Sequence, residues 1–382
     1  MTAQVIRCED REALARAKVE LEAHALLSSS TYIVQLHSHT ILASPTSSTR
    51  TIYLSLPFLS GGSANDRLEA NGFGPGAFSE TEVVQIARNV ARGLEEMHTL
   101  RRTGSKRRTA TKKGTKSSKV DKGKGKMTYP PSSTHMLLNS HDDDSSSPAP
   151  FTDNDVDDSD GEADALISAG GQVPRSENAF ALLSDEDDEL DQLDGDDDDG
   201  AANDTRATPG VVEPWAHRDV KPGNIMFSSR SSCSSAVLMD LGSASPARQH
   251  ISTRAQALVA QDLAAEQCSM AYRAPELFDV KTGADLDEKV DVWSFGASVY
   301  ALMYGHSPFE SAQQSQLGGS VAMAVLSGKY DLPPRACDGV DFSDGLQDVV
   351  RNCLVVDPAK RPSIQEIRVQ VDTLANHLDV GQ

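Results

Sequence analysis

The sequence predicts an α+β fold, mainly helical in its second half and split by a long insertion. Three observations predict it. Helical spacing over residues 9–27 and 80–100 brackets a strand-like alternation at 51–58 (T-I-Y-L-S-L-P-F). Further helical patterns follow at 253–267, 290–303, 320–327 and 364–374. Between the two groups, residues 102–210 switch to Lys, Arg, Asp, Glu, Ser and Gly. Such a stretch has too few apolar side chains to offset an ordering cost of about 1–2 kcal/mol per residue, and reads as a disordered surface insertion.

Taking the elements in order, residues 9–27 are rich in good helix formers and are stopped by the serines at 28–30. The strand at 51–58 runs into Leu59-Ser60-Gly61-Gly62, a turn. Ser79 is placed to cap the helix at 80–100, with Glu82 three residues on as in a capping box. The insertion is basic from 101 to 126 and acidic from 142 to 204. It could touch anionic lipid, serve as a nuclear address, or fold its acidic half onto its basic half, and Ser184 precedes three acidic residues as a phosphorylation candidate. A solvated linker is the simpler reading. Thr253 is placed to cap 253–267. Segment 290–303 is apolar yet contains Asp291 and Ser294, which fits a buried helix.

With 382 residues the chain can hold one large domain or two. Its net charge of -20 argues against nucleic acid as a main partner, which would want a basic face. Cys8, Cys233, Cys268, Cys337 and Cys353 have no paired or metal-like spacing and read as reduced thiols of an intracellular protein. No apolar run reaches the roughly 18 residues that cross a bilayer. Residues 9–22 are charged and helical, unlike a signal peptide.

The chemistry concentrates between Trp215 and Gly242, in W-A-H-R-D-V-K-P-G-N-I-M-F followed by A-V-L-M-D-L-G. Asp219, Lys221, Asn224 and Asp240 stand at the spacings that phosphoryl transfer from ATP requires. One Asp orients the acceptor hydroxyl, and a Lys two residues on neutralises the moving phosphoryl group. An Asn holds one magnesium, and a second Asp after a hairpin bridges metal to phosphate.

These residues, with Ala274-Pro275-Glu276, Asp291-Val292-Trp293-Ser294-Phe295-Gly296 and Asp357-Pro358-Ala359-Lys360-Arg361-Pro362, resemble the C-terminal lobe of protein kinases. The wording V-L-M-D-L-G-S, the Ala-rich segment 253–268 and Y-R-A-P-E-L-F are similar to the Numb-associated kinase family, in its branch of small, acylated serine/threonine kinases of Golgi and vacuole. The resemblance covers residues 4–101 and 211–375. It implies a bilobal fold: a partial N-lobe over 1–59, the start of the C-lobe over 60–101, the insertion at 102–210, the rest of the C-lobe over 211–375, and a tail at 376–382.

The same resemblance implies the site. Asp219, Lys221 and Asn224 would be catalytic, with Asn224 and Asp240 on Mg2+ (or Mn2+). Leu56 would be the gatekeeper, with Pro57, Leu59, Ser63, Met226 and Asp240 around ATP. Glu20 falls where the family pairs a Glu with a lysine on the preceding strand. His217 and Arg218 would frame the loop, and Asp291 would accept hydrogen bonds from its backbone. Ser269 would contact the catalytic Asp and Lys, favouring Ser/Thr acceptors on a protein substrate. Glu276 and Arg361 would form a buried ion pair. Leu241 replaces the family's usual Phe, and residues 253–267 imply a helical activation segment, leaving Arg218 no phospho-residue to clamp.

The N-terminal end departs from the pattern. No glycine precedes Gly61 and no lysine precedes Lys18, so the first two strands, the glycine-rich loop and the strand lysine are missing. Aligning Val5-Ile6-Arg7-Cys8 with the end of that strand puts Gln4 at the lysine position. Gln is neutral and cannot match the charge of phosphates or of Glu20. Two explanations stand: a reading frame begun at an internal Met, or a pseudokinase acting as a binding module. The otherwise intact site favours the first, and phosphotransfer by the 382-residue chain is expected to be weak or absent. The branch implies peripheral association with Golgi or vacuole membranes through acylation of an N-terminal Gly and nearby cysteines. Here Thr2 stands at the Gly position, with Cys8 nearby, and stable anchoring takes two such signals.

Overall fold

Alternation of inward and outward side chains builds a small antiparallel sheet from β1 (Thr2–Cys8), β2 (Ser38–Ala43) and β3 (Arg50–Leu56), in the order β1-β3-β2. Ile52, Leu54 and Leu56 of β3 point inward and are buried, whereas Tyr53 between them is exposed. Helix α1 (Arg11–Leu26) is capped by Asp10, whose side chain accepts from the Ala13 N–H at 2.7 Å. Its Ala17 and Leu21 pack with Cys8, Ile52, Leu54 and Leu56 into a core separate from the main one. The computed structural model describes residues 1–44, 49–102, 211–229, 233–310, 320–333 and 341–380. Almost all of the expected insertion, Ser184 in it, and Cys337 lie outside these residues. Cys8, Cys233, Cys268 and Cys353 are free and buried.

The larger, helical lobe begins with α2 (Ala64–Ala70) and α3 (Glu80–His98). Ser63 and Ser79 each cap through a capping box, with Asp66 and Glu82. The strand expected at 51–58 stops at Leu56, immediately before Pro57, which has no N–H for the ladder. After it the chain presses onto the next strand: a Cβ on Gly61 would lie 2.6 Å from the Phe227 carbonyl oxygen, so only Gly fits there. Beyond α3, β4 (Arg101–Arg102) pairs with β5 (Val211–Val212), and the Glu213 N–H donates to the Leu100 carbonyl at 2.9 Å. The two ends of the insertion therefore meet in an antiparallel stem.

Next come β6 (Trp215–Ala216), the hairpin of β7 (Ile225–Phe227) and β8 (Ala236–Leu238), β9 (Ser245–Pro246), which pairs with β6, and β10 (Gln249–His250). Helix α4 (Arg254–Gln267) starts at Thr253 in a capping box with Gln256. β11 (Asp285–Leu286) pairs with β10 ahead of α5 (Lys289–Tyr304), buried along nearly its whole length, and then α6 (Val321–Ser327), α7 (Asp344–Cys353) and α8 (Ile364–Val380). The helix expected at 364–374 continues to Val380, because Val371 and Ala375 stay buried, so no break marks a tail at 376. Trp293 of α5 stacks on Phe309 with centroids 5.4 Å apart in the main core. Among the described residues no helix is long and apolar enough to cross a membrane.

Arg361 ties this lobe together. Only 1% exposed, it donates to Glu276 Oε1 at 2.8 Å and Oε2 at 3.0 Å, to the Lys289 carbonyl at 2.7 Å and to the Val355 carbonyl at 3.0 Å. Its guanidinium lies 5.3 Å from the Trp293 ring centroid. A bidentate, fully hydrogen-bonded pair of this kind offsets its desolvation only while both partners are present. Arg361→Met should therefore lower the unfolding free energy by roughly 3–5 kcal/mol, and Glu276→Leu in the same chain should return much of that loss, as read by chemical denaturation.

Candidate active site

Loop 217–224 is held from below by Asp291, the third residue of α5. Asp291 is fully buried and accepts from the His217 N–H at 2.7 Å, the Arg218 N–H at 2.8 Å and His98 Nε2 at 3.0 Å. Burial alone would raise its carboxyl, but the His98 hydrogen bond and the nearby imidazoles hold it below the usual range. Arg218 adopts the left-handed region (φ 69), and its Nη2 donates to the Pro246 carbonyl at 3.3 Å. His217 Nε2 donates to the Met239 carbonyl at 2.9 Å while its Nδ1 accepts from the Asp219 N–H at 3.3 Å, which fixes the tautomer.

On this frame Asp219, Lys221, Asn224 and Ser269 converge. Lys221 Nζ lies 2.7 Å from Asp219 Oδ2 and donates to Ser269 Oγ at 2.8 Å. The Ser269 N–H donates to Asp219 Oδ1 at 3.0 Å, and Asn224 Nδ2 donates to Asp219 Oδ2 at 3.1 Å and to its carbonyl at 2.8 Å. Burial opposes ionisation of Asp219, yet the Lys221 and Ser269 contacts outweigh it and keep the carboxyl below its ordinary value. The Met239 N–H donates to the Asn224 carbonyl at 2.8 Å, bringing Asp240 alongside. Asp240 is exposed, takes a left-handed backbone (φ 63), and accepts from the Gly242 N–H at 3.2 Å. The neighbouring Leu241 is buried in the main core.

A divalent cation fits this donor set. Asn224 spends its amide nitrogen on Asp219 and so keeps its side-chain oxygen for a cation, and the exposed Asp240 follows Met239, whose N–H bonds the Asn224 carbonyl. Two hard oxygens suit Mg2+ or Mn2+. Among the described residues there is no group of three or more His, Cys, Asp or Glu that could hold a metal ion. Around the adenine position expected between the lobes, Leu56 is buried and Pro57 and Leu59 are half-buried. Ser63 bridges to Met226, and its hydroxyl accepts from the Asp66 N–H at 3.0 Å, so it serves as a helix cap.

Glu20 is 5% exposed, and Gln4 Nε2 donates to its Oε1 at 3.2 Å. Burial first, and then the charge of Asp240, push its carboxyl up to about 7; the Gln4 bond opposes this only in part. One turn on, buried His24 is lowered to about 4, chiefly by burial, and stays neutral. Sequence reasoning did not single out His24 or His98. The signal available for His24 was its i+4 spacing from Glu20, on the same helix face. His98 offered only a position in the last turn of its helix.

Because the proton on Glu20 is held more tightly in the folded chain, its contribution to stability is greatest below about pH 4.5 and is lost as pH rises through about 7. Glu20→Gln should therefore gain stability relative to the parent between pH 4.5 and 7, by on the order of 3 kcal/mol, in denaturant titrations at several pH values. Gln4→Lys should flatten the same profile by supplying a cation beside Glu20.

Residues 213–371 match the protein kinase domain. The chain is 38% identical over 162 residues to serine/threonine-protein kinase ppk13 of Schizosaccharomyces pombe, covering 42% of this chain and 45% of that protein. It is 28% identical over 362 residues to serine/threonine-protein kinase ENV7 of Saccharomyces cerevisiae, covering 95% and 78%. To serine/threonine-protein kinase 16 of Homo sapiens it is 40% identical over 162 residues, covering 42% and 49%. The matched region thus spans about half the length of the first and third of these relatives. The matched residues coincide with the lobe that carries Asp219, Lys221, Asn224 and Asp240, so that lobe is similar to the protein kinase domain.

Proposed function

We propose that this chain is the core of a protein serine/threonine kinase of the Numb-associated branch, moving the γ-phosphoryl group of ATP to Ser or Thr of protein substrates. The observation that supports this most is the meeting of Asp219, Lys221 and Ser269 within 2.7–3.0 Å of one another. MgATP, when bound, supplies the transferable phosphoryl group and the metal's positive charge. Asp219 stays ionised, orients the acceptor hydroxyl and takes its proton at a carboxylate oxygen. Lys221 offsets charge that develops next to it, and Ser269 keeps both in register. Asn224 and Asp240 present oxygens for the cation. Adenine would be shielded by Leu56 and would meet the Pro57 carbonyl and the Leu59 backbone, where a missing N–H on Pro57 does no harm. Resemblance to the Golgi and vacuole branch supports a setting in membrane trafficking, with peripheral membrane association and without nucleic acid as a partner.

A second reading has its own support. Gln4 hydrogen-bonds Glu20 without bringing charge, so nothing at that position neutralises phosphate. A chain so arranged could bind partners as a pseudokinase and transfer phosphate slowly or not at all.

Transfer of labelled phosphate from ATP to a generic Ser/Thr protein substrate separates the two. The kinase reading expects a weak signal that Gln4→Lys raises roughly tenfold or more, the value of one added charge-assisted contact. In that background Asp219→Asn should remove it. No gain from Gln4→Lys in a chain that still binds nucleotide, or a signal indifferent to Asp219→Asn, favours the binding module.

A further inference from the structure

Outside loop 217–224 and its partners, three arginines converge on one aspartate where α3 packs against α8. Arg88 Nε donates to Asp372 Oδ1 at 2.7 Å, and Arg92 Nη2 donates to the same oxygen at 3.2 Å. Arg368 Nη1 donates to Asp372 Oδ2 at 2.5 Å, and its Nε lies 2.5 Å from Glu95 Oε2. Arg92 Nη1 also donates to the Tyr32 hydroxyl at 3.1 Å, which brings the segment after α1 to the same point. Burial would raise the Asp372 carboxyl, but the Arg88 hydrogen bond and the charges of Arg92 and Arg88 hold it below its usual range. It therefore stays ionised. The guanidiniums still carry more N–H groups than these acceptors use. Among the described residues, neither Nη of Arg88 nor Nη2 of Arg368 has an acceptor, and the Tyr32 hydroxyl accepts without donating. Three cations thus face two carboxylates in a chain of net charge -20. The side chains of Arg88, Arg92 and Arg368 are 29%, 30% and 27% exposed, so an ion reaches them from solvent.

We propose that Arg88, Arg92, Arg368 and Tyr32 bind the phosphate of a phosphorylated Ser or Thr in another polypeptide, at a site separate from the one built on Asp219. The surplus donors come from three separate segments. They suit a tetrahedral group with three terminal oxygens better than a planar carboxylate with two. Hydrogen bonds from guanidinium to a charged oxygen are about twice as strong as neutral ones, and clustered arginines are a common means of holding a phosphorylated residue. The Tyr32 hydroxyl hydrogen turns to the phosphate while its oxygen still accepts from Arg92. The choice of a Ser or Thr phosphate rests on the kinase reading, because that reaction makes such groups. An anionic membrane is the poorer occupant. Its many charges would meet the negative charge of the whole chain, whereas one phosphate on a polypeptide meets the cluster alone.

The test is fluorescence anisotropy of the full chain with a labelled, otherwise uncharged peptide that carries phosphoserine, Ser or Glu at its centre. The phosphopeptide should bind about tenfold more tightly than the other two, about 1.4 kcal/mol. Arg88→Gln should weaken it about tenfold and the milder Tyr32→Phe, at an unchanged melting temperature, about threefold. Lys221→Ala, at the proposed transfer site, should leave phosphopeptide binding as it was. Equal binding of the three peptides, no binding of any, or an affinity that falls with Lys221→Ala but not with Arg88→Gln and Tyr32→Phe overturns the proposal. So does tighter binding to vesicles that contain a phosphoinositide monophosphate, if Tyr32→Phe and Arg88→Gln weaken it, which would give the cluster to a lipid headgroup. The measurement needs no phosphotransfer, so its failure is separate from a failure of the kinase assay.

Discussion

Asp291 has no contact with water, and its two oxygens receive the backbone N–H groups of His217 and Arg218 together with His98 Nε2. The loop has no regular secondary structure at 217–221, so its backbone groups need partners from elsewhere. A carboxylate rooted in the most buried helix of the lobe provides them at fixed positions. Arg218 can then hold its left-handed backbone, and Asp219 meets Lys221 and Asn224. Removing that anchor would leave buried N–H groups unsatisfied and the cleft without a floor.

The other side of the cleft is electrostatically lopsided. Glu20, Asp240 and Asp219 bring carboxylates toward the region proposed for a triphosphate, and Lys221 is already engaged with Asp219. Gln4 completes the hydrogen bonding of Glu20 but leaves the charge uncompensated. Affinity for an anionic ligand in this arrangement depends on an accompanying cation more than it would with a lysine at position 4.

Much of this was legible in the sequence. The capping residues Ser79 and Thr253 lie where the hydrophobic period begins, and both helices start there. The spacing of Asp219, Lys221 and Asn224 is short enough to mark them as neighbours in the sequence, although the loop that carries them is held by Asp291, more than 70 residues on. Ser269 and Arg361 were readable only through motif resemblance, because their partners lie 50 and 85 residues away. His98 was not readable at all: its partner Asp291 is 193 residues distant, and a histidine near a helix end usually satisfies the helix dipole. The end of α8 was misjudged because its last turns carry polar residues outward while a few apolar contacts continue inward. Ser63 shows the opposite limit, since a residue near a ligand position can be fully employed in capping.

The antiparallel stem at Arg101–Arg102 and Val211–Val212 makes the lobe indifferent to what joins its halves. Once two residue pairs fix where the chain leaves and returns, a longer or shorter connection changes only a closure entropy that grows logarithmically, about 0.6 kcal/mol per doubling. The geometry around Trp215 is then set by the socket and not by the plug. Such a junction lets a lineage rewrite the intervening text freely, and offers an engineer a port for grafting a sensor or a tether while the machinery beside it keeps its alignment.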